Sequence, residues 1–510
     1  HNAGVSVTTG TLNTLMGSHV GDALTTGGRN VAIGYQALSA EDTGGRNIAI
    51  GYRALYVQDT SGNAYNIAMG YEAGAAITTG VNNVLIGGSA GDALTSGDSN
   101  VAIGRNAMGA ADGSESNNVA IGYSTLATMN SDASNYNTAV GYNAGTAVTT
   151  GVNNTLIGGL AGDALTTGTN NVAMGYGALG SEDTGGQNVA IGVNALNTAN
   201  YDGNGLNVAV GYNAGVLMTT GEQNTLIGGL SGDALTDGNT NVAVGYQSLG
   251  SETRGDRNVA VGKDALASQN NTSDTDVYNT AVGYAAGTAV TTGNENVLIG
   301  GLAGDALTTG SMNVAVGYSA LSAEDGDGRN VAIGHQALQA LNAGADAYNI
   351  GIGSNAGVLM STGTSNVIVG GLAGDALTTG SHNIAIGKDA LGTEDTRGYN
   401  VAIGSFALQD LNAAADAYNV AIGYSAAKEL TTGTYNTILG TQAMSTGITT
   451  GDYNVAVGYK AGDTITSGVR NTLIGTSAGD ALTTGGYNVA IGMYALTAED
   501  GHGKNVAIGY

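Results

Sequence analysis

Few of the side chains able to do chemistry in this chain fall into a working arrangement. Five histidines, His1, His19, His335, His382 and His502, are scattered and mostly take different places in the local pattern. That distribution fits solvent-exposed imidazoles rather than a catalytic or metal-holding set. No H-E-x-x-H and no G-K-[ST] is present, so metalloprotease and P-loop readings lack their residues. G-x-S-x-G occurs twice, at Gly87–Gly91 and Gly475–Gly479, but related segments carry Leu160, Leu302 and Leu372 where these carry Ser89 and Ser477. A nucleophile elbow also needs a strand-to-helix turn with His and Asp partners, which nothing in the pattern supplies. No catalytic or cofactor-binding residue is assigned, and the chain is read as a non-enzyme.

The segment G-G-L-A-G-D-A-L-T, at Gly158–Thr166, Gly300–Thr308 and Gly370–Thr378, approaches the calcium nonapeptide G-G-x-G-x-D-x-U-x. It has Ala at the fourth position, and it is not in tandem, whereas calcium rolls share each ion between adjacent turns. Asp163, Asp305 and Asp375 are therefore weak calcium candidates set against ordinary solvated turn aspartates, and otherwise no metal or cofactor is expected. Polar loops carrying Asp202, Asp274 and Asp276 offer calcium only weak, nonspecific sites. Tyrosines recur in two places, Tyr35, Tyr52, Tyr71 and Tyr123 in one and Tyr65, Tyr136, Tyr278, Tyr348 and Tyr418 in the other. They suit either sugar stacking or coverage of a coil wall and a partner chain, and the second reading is preferred. Thr-Thr-Gly turns such as Thr149-Thr150 do not recur often enough for a continuous ice-binding array.

The composition explains why chemistry is scarce. Of 510 residues, 88 are Gly, none is Pro, Cys or Trp, and one is Phe, Phe406. Charged residues make up 11%, against about 25% in an ordinary soluble domain. Such bias marks a repeat protein, and 42% hydrophobic residues argue for folding rather than disorder. The formal net charge of −26 disfavours nucleic-acid binding through phosphates. No apolar run approaches the length of a membrane helix, and without Cys there is no disulfide framework.

The repeat itself is an Asn, a β-branched residue, a small or aliphatic residue, an aliphatic residue and a Gly, found 29 times from Asn13 to Asn505. Successive copies begin at Asn13, Asn30, Asn47, Asn66, Asn83 and Asn100; of the 28 intervals, 20 equal the first of these and the other eight are slightly longer. The insertions fall in polar stretches, Asp59–Tyr65, Ser131–Tyr136 and Ser268–Tyr278, which read as surface loops. Two β-branched or apolar residues around a small one give the alternation of a short strand with one buried face. The expectation is that Val31/Ile33, Val101/Ile103, Val189/Ile191 and Val401/Ile403 point inward. Ala32, Ala102 and Ala402 would then form a smooth outer face for another chain. Gly34, Gly104, Gly192 and Gly404 would supply a restricted backbone where the coil turns.

Helix is excluded by the density of Gly and β-branched residues. The predicted fold is all-β, a parallel β-solenoid of ~17-residue coils over a single continuous domain, 1–510, with no separate cap or anchor domain. Coils stacking at about 4.8 Å would give a rod of roughly 130 to 140 Å. The repeated Asn, as at Asn30, Asn188 and Asn400, either forms an amide ladder along the stack or simply suits the turn. A second period overlies the first: G-D-A-L returns at Gly21, Gly91, Gly162, Gly232, Gly304, Gly374 and Gly479, most often once in every four coils. In those coils Leu or Ile replaces the small residue, as at Leu15, Leu85, Leu156 and Ile368. These larger groups read either as registration bumps for a partner chain or as the relic of a duplicated four-coil ancestor.

The stretch Asn30 to Asn47, N-V-A-I-G-Y-Q-A-L-S-A-E-D-T-G-G-R-N, resembles the repeats of phage and prophage tail fibres and of trimeric autotransporter adhesin heads. Asn188–Gly192, Asn330–Gly334 and Asn400–Gly404 are similar to the adhesin head motif, although the unit here is longer, and the resemblance covers essentially the whole chain. It implies a left-handed parallel β-roll, often a parallel trimer, with a structural or adhesive role. The coiled-coil stalk, membrane anchor and self-cleaving chaperone domain that accompany such repeats are absent from the sequence.

The chain starts and stops at one phase of the repeat, so it reads either as a stretch of a longer fibre or as a subunit whose ends complete each other's coil. The functional expectation is a structural, self-associating subunit of an extracellular or virion fibre, with itself as partner in a lateral trimer or head-to-tail polymer. The alternative is an adhesin or tail-fibre shaft that binds host-surface glycans through its loops. No nucleic acid and no membrane span are expected.

Overall fold

The computed structural model describes residues 1–326, 328–498 and 500–510. It is all-β, with no helix among the described residues, and forms a parallel β-solenoid of about 29 turns, each strand opening one repeat after the last as Thr14, Val31 and Ile48 do. The chain divides into two compact units, His1–Asp256 with Thr272–Thr275, and Arg257–Asn271 with Asp276–Tyr510. In the first, fourteen three-residue strands run from Thr14–Met16 to Val242–Val244, and in the second, fifteen run from Val259–Val261 to Val506–Ile508. Within each unit, successive strands pair in parallel and in phase, as Val172↔Val189, Ala173↔Ala190 and Met174↔Ile191 do. Identical repeat positions therefore form columns.

The strands face the opposite way from that expected. The middle residue is buried in every strand except the first and last, whereas its two neighbours are half-buried or exposed. Ala32, Ala102, Ala190 and Ala402 are fully buried, and Val31, Ile33, Val189, Ile191, Val401 and Ile403 face outward. The coil is too narrow to hold two β-branched side chains from one strand together with the groups that cross from the other wall. Those groups are leucines further along each coil, such as Leu38, Leu179, Leu196 and Leu408, together with a second inward position in the same wall.

The larger strand centres are likewise inside, not bumps on the surface: Leu85, Leu156, Leu226, Leu298, Ile368 and Leu473 are fully buried. Each is accommodated by glycine across the coil. A Cβ at Gly162 would lie 2.9 Å from Leu156 Cδ2, and one at Gly145, in the preceding coil, 2.6 Å from Leu156 Cδ1. The longer, four-coil period is thus a packing pattern, Leu opposite Gly in one coil, Ala opposite a larger side chain in the next two, as at Ala173/Leu179 and Ala190/Leu196, and Ala opposite Gly in the fourth, as at Ala139/Gly145, where the leucine of the adjoining coil, Leu156, reaches across.

The amide column forms as the ladder reading predicts. The Asn30 backbone N–H donates to Asn13 Oδ1 at 2.9 Å, and Asn47 N–H to Asn30 Oδ1 at 2.9 Å. Asn30 Nδ2 donates to the Gly44 carbonyl at 3.0 Å. The same pattern binds Asn188 to Asn171 and Asn400 to Asn383, both at 3.0 Å. These side chains are buried, so each coil satisfies its interior backbone groups through the next. The Gly ending each strand has a positive φ, 130° at Gly34, 137° at Gly192 and 133° at Gly404. A Cβ there would collide with the carbonyl oxygen of the equivalent Gly one coil on, which accounts for glycine in every copy.

Candidate functional site

Three groups of side chains stand out once the columns are assembled. The first is the outward strand face. Each strand contributes two residues to it, chosen from Val, Ile, Thr, Met and Leu, and none is charged. Several are more than a third exposed, among them Met69, Met174, Ile227, Ile299, Ile333, Leu439 and Ile474. Within each unit this makes two adjacent uncharged columns on a parallel sheet.

The second is a pair of aromatic columns. Tyr35, Tyr52 and Tyr71 stack with ring centroids 5.6 and 5.1 Å apart. In the second unit, His382, Tyr399, Tyr418, Tyr435 and Tyr453 occupy the position before the Asn in five successive coils, and their centroids are 4.9, 5.0, 5.1 and 5.0 Å apart. Arg470 continues the column, its guanidinium 5.3 Å from the Tyr453 ring and 5.4 Å from that of Tyr487. Within the stack the ring faces lie against each other, so each ring shows solvent an edge and a hydroxyl. A sugar ring needs a face, so the stacked members do not form a sugar-stacking platform. Desolvation and the nearby Asp416 push the Tyr418 hydroxyl above its usual pKa.

The third group is acidic and was not read from sequence. Glu41, Glu115, Glu182, Glu252, Glu324 and Glu394 are fully buried by surface area. Burial raises the pKa of Glu41, Glu182 and Glu394. In four of the six the carboxylate closes a turn, accepting from the N–H of Gly44 (2.5 Å), Gly185 (2.6 Å), Gly255 (2.8 Å) or Arg397 (3.0 Å). The sequence signal was present: Glu41, Glu182, Glu252, Glu324 and Glu394 each fall one repeat after a G-D-A-L leucine, Leu24, Leu165, Leu235, Leu307 or Leu377, in the same inward column.

Two acidic groupings bring carboxylates within ligating range of one another, Glu41 with Asp42 and Asp59, and Asp112 with Glu115 and Asp132. Their buried members are already committed. Glu41 accepts from Gly44, Gln58 and Thr60, and Glu115 from Gly113 and Ser131. Desolvation and the neighbouring Asp42 raise the pKa of Asp59. The sequence candidates Asp163, Asp305 and Asp375 are in neither grouping. They sit four or more coils apart, half-buried, and desolvation raises the pKa of each.

Of the remaining sequence candidates, Ser89 hydrogen-bonds to Asp92 within its own turn, and Ser477 is buried. The first Thr of the Thr-Thr-Gly turns donates to a carbonyl of the next coil, as Thr149 Oγ1 does to Thr166 at 3.3 Å, a structural use. The insertions Asp59–Tyr65 and Ser131–Tyr136 are surface loops, exposed apart from side chains such as Thr60, Ala64 and Asn135. No helix among the described residues is long and apolar enough to cross a membrane. In comparisons with known proteins, no family model and no curated protein matches this chain.

Proposed function

We propose that this protein is a non-catalytic structural subunit of an extracellular or virion fibre, and that it associates with copies of itself through the outward strand face. The observation that carries the reading is the uncharged, mostly apolar pair on every strand, left partly exposed after folding. A strand of three residues is about 10 Å long and coils rise about 4.8 Å, so fourteen coils offer roughly 700 Å² of this face. That is close to the ~800 Å² per partner of a standard stable interface. A second copy repeats with the same rise, so its columns match in register over the whole length of contact. The resemblance to tail-fibre and adhesin-head repeats points to the same role.

Cryo-electron microscopy of the purified chain tests this, with filaments or lateral bundles expected. Ile227→Lys combined with Ile299→Lys places charge on the face in each unit. This variant should keep the thermal melt and lose assembly. A dispersed wild-type chain at concentrations of tens of micromolar, or unimpaired assembly of the variant, would refute the proposal.

A further inference from the structure

The aromatic column of the second unit has a chemistry that the fibre reading does not use. The chain has no Cys and no Trp, so its 25 tyrosines are the most readily oxidised aromatic side chains it has. Tyr399, Tyr418, Tyr435 and Tyr453 stand in four successive coils with interplanar angles of 16°, 9° and 2°. All four are exposed at the edge. The edge of a phenol ring carries the hydroxyl and the two ortho carbons, at which phenoxyl radicals couple. The faces are shielded by the neighbouring rungs, which also share the electron deficiency when one ring is oxidised and let it pass along the column.

We propose that this column is an oxidative cross-linking site, at which tyrosines of two copies join as dityrosine. The inference rests on the fibre reading for its occupant, because copies must meet, and the partner is a second copy of this chain. Coupling within one column is excluded by geometry: the rings are held parallel with centroids 5.1 and 5.0 Å apart, while coupling needs two ortho carbons at bonding distance. The co-reactant is a hydroperoxide acting through a one-electron oxidant of the haem peroxidase class. Two phenols each lose one electron and one proton. The two radicals form one C–C bond between ortho carbons, and the hydrogens on those carbons return to the phenol oxygens as the rings regain aromaticity. Hydrogen peroxide takes up the two electrons and two protons and leaves as two waters, which balances the step.

Exposure alone predicts a different site. Tyr176 and Tyr212 are 58% and 59% exposed, against 43% to 49% for the four stacked rings. Their column is interrupted by Gly159, Val193 and Gly229 in the adjoining coils. The experiment treats the full chain with horseradish peroxidase and hydrogen peroxide, follows dityrosine fluorescence and SDS-resistant dimers, and maps the joined peptides by mass spectrometry. The cross-links should map to the stacked tyrosines, Tyr399, Tyr418, Tyr435 and Tyr453, and likewise to Tyr35, Tyr52 and Tyr71 of the first unit, whose rings stack in the same way. Replacing all seven with Phe, which keeps the ring stacks, should lower dimer yield at least fivefold. Tyr176→Phe with Tyr212→Phe should leave it unchanged. Cross-links spread according to exposure, or a sevenfold Phe variant that couples like the wild type, would overturn the inference. Wild-type filaments that form but do not cross-link under peroxidase would sink this inference alone. The absence of filaments in the untreated wild-type chain would sink the fibre reading itself.

Discussion

Exchanging the two packing types within one coil tests the account of the core directly. Leu156 is fully buried, and truncating it to Ala opens a cavity in a coil whose walls are pinned by in-phase hydrogen bonds on both sides. Such a site collapses poorly, so Leu156→Ala should cost about 4 kcal/mol. Gly162→Leu alone forces a side chain into the space Leu156 occupies, since even its Cβ would lie 2.9 Å from Leu156 Cδ2. Overpacking of about 1 to 3 kcal/mol adds to a left-handed backbone cost of roughly 1 to 2 kcal/mol. The backbone itself accepts leucine: Gly162 has φ 55°, and Leu179 and Leu196, at the same place in the next two coils, have φ 53° and 49°. The double variant rebuilds the Ala-opposite-Leu packing of those coils, so the two changes should couple favourably by about 3 kcal/mol. Stacked coils can open locally, so the readout is hydrogen exchange of peptides covering Leu156 to Leu179 in the full chain. There a tenfold change in protection corresponds to about 1.4 kcal/mol. Leu156→Ala should speed exchange about a thousandfold, and adding Gly162→Leu should restore much of the protection. Costs that simply add, to within about 0.5 kcal/mol, would refute the claim that Leu156 and Gly162 share one space.

Asn171→Ala removes the acceptor for the Asn188 N–H (3.0 Å) and the donor to the Gly185 carbonyl (2.9 Å). Two buried polar groups left without partners should cost about 2 to 4 kcal/mol, read from hydrogen exchange of the two adjoining coils. Raised pKa values at Glu41, Glu182 and Glu394 mean that ionisation is more costly in the folded than in the unfolded chain. The penalty is absent below the ordinary value of 4.5 and grows as pH rises towards the folded values, so urea midpoints should be higher at pH 4 than at pH 7. Glu182→Gln should raise the midpoint at pH 7 and leave it unchanged at pH 4; an equal effect at both would remove burial as the cause. Because Glu41 and Glu115, the buried members of the two acidic groupings, are already hydrogen-bonded and Asp163, Asp305 and Asp375 are far apart in sequence, EDTA should leave the thermal melt unchanged. A drop of several degrees would show that the acidic groupings hold an ion. With a net charge of −26, assembly should strengthen as NaCl is raised from low to above-physiological concentration and repulsion is screened, and light scattering would report it.

The period, the strand positions and the turn glycines were legible because each is a local requirement. A fixed spacing is visible by counting, and a Gly with a φ such as the 137° of Gly192 admits no other residue without collision. Which strand face points inward was not legible from alternation alone, since a period of two says which residues share a face and not where that face lies. The usual preference for burying the larger apolar group then gives the wrong answer, because leucines from the opposite wall already fill the coil. The deciding signal lay a few positions further along each coil. Leu15, Leu85, Leu156, Leu226, Leu298, Ile368 and Leu473 each pair with a Gly, at 21, 91, 162, 232, 304, 374 and 479, whereas Ala32, Ala173, Ala190 and Ala402 pair with Leu38, Leu179, Leu196 and Leu408. Two positions that trade volume occupy one cavity, so the strand centre had to be inside. The buried glutamates were missed because a charged residue in a polar stretch reads as solvated, and only the inward column places them.

This inversion ties the interior to the proposed assembly. With small residues, asparagine amides and turn-closing carboxylates inside, the coil leaves its β-branched side chains on the surface, where a monomer gains only part of their burial. If covering the exposed half of each Val or Ile contributes about 0.5 kcal/mol, fourteen coils with two such residues each yield roughly 14 kcal/mol before costs. Association itself costs on the order of 4 to 15 kcal/mol. A few coils in contact therefore cannot hold two copies together, whereas a whole unit in register offsets all but the top of that range. Register follows from the same arithmetic, because sliding one copy by a fraction of the rise sets ridges on ridges along every coil at once. A parallel solenoid with an uncharged outer pair on each strand thus gains specificity from its length, and a single charge in mid-face interrupts the row on which that gain depends.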